Sequence, residues 1–285
     1  MKFSKGFVFT VLASLFWALS ILFTKIVINT GENVHNILFW TALLSLPYWV
    51  YIFSGQKTEI KKITKKDYIL LISIGIISGL LVNLVEMLAL KYSAAINYSF
   101  LIRTSLLFTI ILGYFFFDEK ITLKKAILAI LILCGAFLLT TNGTVISFGL
   151  GDILTVIEAL LISFGNTILG KIAIKSMSPK LSSSASNIIG LSLLLIIPVF
   201  MHIVRIPELF WIILLIALFN ILGTSFRFEA YKNATASYIV MMYSLTPVYV
   251  LIMAIIFLKE TLGLIQIIGV SLIFLAGIFV EKLKI

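Results

Sequence analysis

Apolar residues run along this chain in blocks of about twenty, separated by short polar or turn-forming stretches. Blocks of that length match the ~20 helical residues that span a hydrocarbon core of ~30 Å. The pattern predicts ten helices with short connections, near residues 6–28, 34–54, 68–90, 94–117, 122–140, 151–172, 182–204, 208–231, 234–258 and 262–281. No stretch is long or polar enough for a soluble domain, so any pocket must form between helices. The expected fold is all-α and polytopic.

Composition agrees with this reading. The chain is 61% hydrophobic and only 12% charged, with mean hydropathy +1.17, which is the range of multi-pass membrane proteins. Lys2 and Lys5 precede an apolar run with no small-residue cleavage site, so the first run is a membrane helix and not a removable signal. The single cysteine, Cys134, has no partner for an intrachain disulfide and is expected to pack within an apolar run.

Charge sets orientation. Most of the 22 basic residues fall in segments that share a side with the N-terminus, including Lys57, Lys61, Lys62, Lys65, Lys66, Lys120, Lys124 and Lys125. Cationic loops resist translocation, so both termini are expected in the cytoplasm and the protein in the cell membrane. The net charge of +10 is explained by insertion and contact with anionic lipids, and nucleic acid is not an expected partner.

The chain also repeats itself. A shift of 141 positions lays EMLALKYSAAIN, from Glu86 to Asn97, over RFEAYKNATASY, from Arg227 to Tyr238, and places Glu119 over Glu260. Near a shift of 145, Gly6–Leu15 meets Gly151–Leu160. The halves are 1–142 and 143–285, and five helices in each is an odd number, so the second must cross the membrane in the opposite sense. Two inverted halves suit a machine that opens one site alternately to two sides.

At this point the residues resemble a family. LFWALSILFTKIVI, from Leu15 to Ile28, is similar to the Trp, small-polar and Lys signature of EamA-type members of the drug/metabolite transporter superfamily. The stretches Tyr92–Thr122 and Asn233–Leu262 resemble that family's two copies of an alanine-rich start, a mid-helix Pro-Val and a closing Glu. The resemblance implies ten helices in two inverted repeats, a central cavity, and movement of amino acids or other small metabolites, often outward. It carries no universal binding residue. The first copy has Leu106 where the second has Pro247, so only the ninth helix is expected to break there.

Site candidates are polar residues at membrane depth. Arg103 lies roughly 15 Å below the outer start of its helix, near the midplane, with Ser99 on its face. An intramembrane cation by default faces the bundle interior or a water-filled pathway. Two readings of Arg103 stand open: an anchor for a substrate carboxylate or phosphate, or a structural ion pair with Glu158 or Glu86. Those two carboxyls also suit proton coupling, which an adjacent arginine would oppose. Asn83, Asn97 and Asn166 are amides in hydrocarbon and need partners; Trp17 and Tyr243 offer aromatic surface; Arg227 and Glu229 sit near the inner end of the eighth helix. Pro47 and Pro247 are candidate hinges, since each removes a backbone donor in mid-helix.

Other classes fit less well. GLGD, from Gly149 to Asp152, matches the short motif of intramembrane aspartyl proteases, but Asp67 and Asp118 lie at the opposite helix ends. Neither HExxH nor GxSxG occurs, and the two histidines are expected at the interface, so no enzyme activity, metal or cofactor is expected. A channel lacks a ring of like charges, and a receptor or scaffold is the remaining different class. The expected function is secondary transport of amino acids or related organic anions and zwitterions, with phosphorylated or nucleotide-linked sugars as the alternative. The expected partners are that small molecule and membrane lipids, for a monomer or homodimer.

Overall fold

The computed structural model describes residues 4–93, 98, 100–142, 149–253 and 263–283, and within them the chain is all helix, with no strand. Helix α1 (Lys5–Asn29) starts where the Ser4 hydroxyl accepts the Phe7 N–H at 3.1 Å, and α2 (Val34–Ser54) where Asn33 accepts from His35 at 2.9 Å. Such caps satisfy donors that a helix leaves open at its first turn. A short turn, α3 (Lys57–Ile60), carries part of the lysine cluster, and a capping box between Thr64 and Asp67 opens α4 (Lys65–Ile74).

The third, fourth, sixth and ninth apolar runs are not uniform helices. The third continues through a π-helical segment, Gly75–Leu81, into α5 (Val82–Tyr92). The fourth passes through a 3-10 turn, Ile102–Thr104, into α6 (Ser105–Phe117), and α7 (Leu123–Thr141) follows. The sixth comprises α8 (Leu150–Leu161), a second π segment, Ile162–Leu169, and α9 (Gly170–Ser176). Then come α10 (Pro179–Phe200) and α11 (Phe210–Asn233). The ninth run is split at Ser244 and Leu245 into α12 (Ala236–Tyr243) and α13 (Thr246–Met253), and α14 (Leu264–Leu283) completes the chain. Eight of these stretches are long and apolar enough to cross a membrane.

Both halves therefore carry an irregularity at matching places, because residues 102–104 shifted by 141 become 243–245. The expectation that only the ninth helix breaks is corrected. Proline is not required: in the first copy the turn tightens without one, and Thr104 Oγ1 returns a hydrogen bond to the Leu101 carbonyl at 2.7 Å.

Packing pairs the two halves reciprocally. The first run packs on the eighth and the third on the sixth; the second packs on the seventh, the fourth on the ninth, the fifth on the tenth. Exchanging the halves maps this set onto itself. The glycines at equivalent helix starts show the same exchange: a methyl on Gly6 would lie 2.9 Å from the Asn233 carbonyl, and one on Gly151 would collide with Tyr92 and Ser93. Phe9, Phe16 and Phe23, seven residues apart, interleave with Phe219 and Phe226 along the α1–α11 contact at centroid spacings of 5.6–6.1 Å. Gly75 and Gly79 press on Ile189 and Gly190 of α10, so small residues set how close these helices come. Cys134 lies exposed on α7, within the apolar run.

Polar latches close both ends. At one end the Glu32 carboxylate accepts from Asn33 N–H and Asn36 Nδ2, each at 3.0 Å, and from Arg205 Nε at 3.3 Å, while Trp40 Nε1 donates to the Arg205 carbonyl at 2.7 Å. At the other, Ser178 Oγ donates to Glu59 and Ser176 Oγ to Asp67, both at 2.6 Å. Ser4 and Glu281 both meet the Tyr238 hydroxyl, so the two ends of the described chain share a side of the bundle.

The Glu32 latch carries a pH signature. Burial acts to raise its pKa, but hydrogen bonds from Asn36, Asn33 and Arg205, with the arginine's charge, outweigh it and hold Glu32 below the ordinary glutamate value. A lowered folded-state value stabilises the protein above the unfolded-state value, and that stability is lost as pH falls through the folded one. Melting temperature in detergent should fall in that acid window, and Glu32→Gln should flatten this component of the pH dependence.

Candidate functional site

The irregular segments meet one another. A methyl on Gly165 would fall 2.6 Å from Ile77 Cγ2 and 2.8 Å from Ser78 Oγ, so the second π segment presses at Gly165 directly on side chains of the first. A π segment frees carbonyls, and Asn83 Nδ2 donates to those of Gly79 at 2.9 Å and Ser78 at 3.4 Å. Asn83 is thus committed to its own helix. Ser163 Oγ bridges to Ser105 O at 2.8 Å, which ties the second π segment to the 3-10 turn beside Arg103.

Around this junction stand two polar groups. In the first, Tyr98 donates its hydroxyl proton to Glu158 Oε1 at 3.0 Å and also neighbours the Glu86 carboxyl. Glu158 is 1% exposed, and its Oε2 has no hydrogen-bond partner among the described residues. Arg103 bears on Tyr98 from the 3-10 turn, yet its Nε is buried without a partner and it forms no ion pair among the described residues. The ion pair with Glu158 or Glu86 that one reading of the sequence required is not there, because the turn directs the guanidinium toward the tyrosine.

The second group gathers Trp17, Arg227 and Tyr243. The Arg227 guanidinium lies 5.8 Å from the centre of the Trp17 ring, Gly223 leaves room beside Trp17 N, and Arg227 bears on both Tyr231 and Tyr243. Thr167, from the second π segment, neighbours the Tyr231 hydroxyl, and Arg227 Nε is also buried without a partner among the described residues. Tyr243 is the last residue before the break in the ninth run, so a change at the break moves its ring.

Other candidates fall elsewhere. Glu229 faces away from Arg227, into a surface cleft of about 410 Å³ with Lys5, Val8, Phe9, Lys232 and Asn233. Asn166 is half-buried in the second π segment with no hydrogen bond among the described residues. Pro47 is exposed in the unbroken α2, away from the junction. Asn97 and Ser99 lie outside the described residues, as does the side chain of Pro247.

Sequence reasoning passed over Tyr98 as a bridge and Glu119 as a latch. Asp118, at φ 54°, turns the chain back on itself at the end of α6. Glu119 then reaches the start of α12, accepting from Ala236 N–H at 2.6 Å, Ser237 N–H at 3.1 Å and Ser237 Oγ at 2.5 Å, with Lys125 Nζ 3.8 Å away. Lys171 donates to the Ala234 and Tyr231 carbonyls at the end of α11, and Lys175 lies over the Phe117 ring at 4.7 Å. Together these contacts close the latch end of the junction.

The chain matches the EamA-like transporter family twice, over residues 4–141 and 149–281. It is similar to a protein of Methanothermobacter thermautotrophicus described as an uncharacterized transporter, 25% identical over 300 residues and covering 96% of this chain and 85% of the other. One crystal structure has the same fold, with TM-score 0.80 over 99% of this chain and 98% of its own at 13% identity.

Proposed function

The chain belongs to the EamA-like transporter family, and on that premise we propose that it moves amino acids or related organic anions and zwitterions by alternating access. The site is a central cavity between two inverted five-helix halves, 1–142 and 143–285, with ten crossings and both termini in the cytoplasm of a cell-membrane protein. The reciprocal helix pairing, the matched breaks and the shared side of Ser4 and Glu281 support this architecture. The substrate reading rests on one observation: half-buried Arg103 forms no ion pair among the described residues, and its Nε is buried without a partner there, beside a tyrosine that meets two carboxyls. A guanidinium kept apart from carboxylates offers separate docking points for the two ends of a zwitterion.

Arg227 favours the second reading. Its Nε is likewise unpaired, and two guanidiniums suit a phosphorylated or nucleotide-linked sugar. Flux into proteoliposomes distinguishes the readings. Saturable uptake of one or more labelled amino acids, undiminished by glucose 6-phosphate, is expected; sugar-phosphate uptake with no amino-acid or organic-acid flux would overturn the reading.

A further inference from the structure

We propose that Glu86 and Glu158 together form a proton-binding site that gives up and regains one proton in each transport cycle, an inference that rests on the transporter reading above. Hydrogen-bond arithmetic points to it. Tyr98 has one hydroxyl proton, which goes to Glu158 Oε1, and the Glu86 carboxyl lies near that same hydroxyl. Among the described residues Glu158 Oε2 is left buried with no donor, in a residue 1% exposed. An ionised carboxylate oxygen stranded in that way is costly, whereas a proton bound by the pair cancels one of the two buried charges.

Among the described residues, no cation lies within ion-pair distance of either carboxyl. From the fourth run, Tyr98 and Arg103 face the pair, and Arg103 bears on Tyr98 without reaching either carboxyl within ion-pair distance. Along α8, Asp152 is engaged at the helix start with Gly149 N–H and Ser93. On α5 itself, the Asn83 amide is already committed to the Gly79 and Ser78 carbonyls.

The pair also straddles the moving parts. Glu86 belongs to the first half and Glu158 to the second, so relative motion of the halves changes their separation and the hold on the shared proton. The repeat does not reproduce the pair, because the position equivalent to Glu86 is Arg227. The chemistry balances simply: a carboxyl O–H releases its proton to water on one side and is reprotonated from the other, with no redox step.

Infrared difference spectra of the protein in lipid nanodiscs, recorded in H2O and 2H2O, test the site without any solute. At neutral pH one protonated-carboxyl stretch is expected, lost in both Glu158→Gln and Glu86→Gln and kept in Glu208→Gln, a change at an exposed residue. Absence of that stretch, or its persistence in both substituted proteins, would overturn the proposal. In proteoliposomes loaded with a pH-sensitive dye, an amino-acid mixture should move protons in the wild type. Solute flux without proton movement would sink the coupling while leaving the transporter reading intact.

Discussion

Replacing Arg103 by alanine should lower flux about 100-fold, which corresponds to about 3 kcal/mol and lies within the usual cost of removing one side of a buried charge-assisted contact. Arg103→Lys keeps the charge but loses the planar fork, so a loss of roughly 10-fold is expected. Thermal stability is the discriminating companion measurement. Arg103 forms no ion pair among the described residues and its Nε is unpartnered, so removing it strands no carboxylate. Melting temperature should stay level or rise. Wild-type flux in both variants, or a melting temperature that falls while flux holds, would show that the guanidinium serves the fold and not the solute.

Glu119→Ala should be the most destabilising single change in the bundle. Its carboxylate accepts from two backbone N–H groups and one hydroxyl of α12 and sits 3.8 Å from the Lys125 ammonium, all of them buried. Truncation leaves those donors and that cation without a partner, which costs about 3–5 kcal/mol. For a chain of this size that is roughly a 5–10 °C fall in melting temperature, measured in detergent. Glu119→Gln keeps an acceptor for the N–H groups and should lose only about 1–2 kcal/mol. An Ala variant melting within a degree or so of wild type would mean that the latch carries no weight.

The same residue illustrates what was legible beforehand. Glu119 over Glu260 was visible as a repeated position, but its partner lies 117 positions away. A faint signal did exist: α12 begins at Thr235 with no acid in its first turn, and a helix start so placed gains from a carboxylate brought by another element. The break at Arg103 was hidden for a different reason. Ile102, Arg103 and Thr104 are unremarkable helix residues, and the turn is tightened by a hydroxyl and held by Ser163 from another helix. The π segments likewise meet other helices through glycines of their own, Gly79 on Gly190 and Gly165 on Ile77.

Hydropathy alone determined the apolar runs, their approximate ends and the membrane setting, while residue matches at a fixed shift marked the two repeats. Lipid offers the backbone no hydrogen bonds, so each run must satisfy its own backbone as a helix, a demand that is local and therefore written in local composition. Only the tertiary structure decided that Arg103 stands apart from Glu86 and Glu158, that Tyr98 bridges those carboxyls, and that Arg227 stacks on Trp17 while Glu229 turns away. Each successive helical residue rotates by about 100°, so which side chains meet depends on how closely neighbouring helices approach and how each is turned. Those quantities are set by contacts such as Gly79 on Gly190 and Gly165 on Ile77, between residues far apart in the chain.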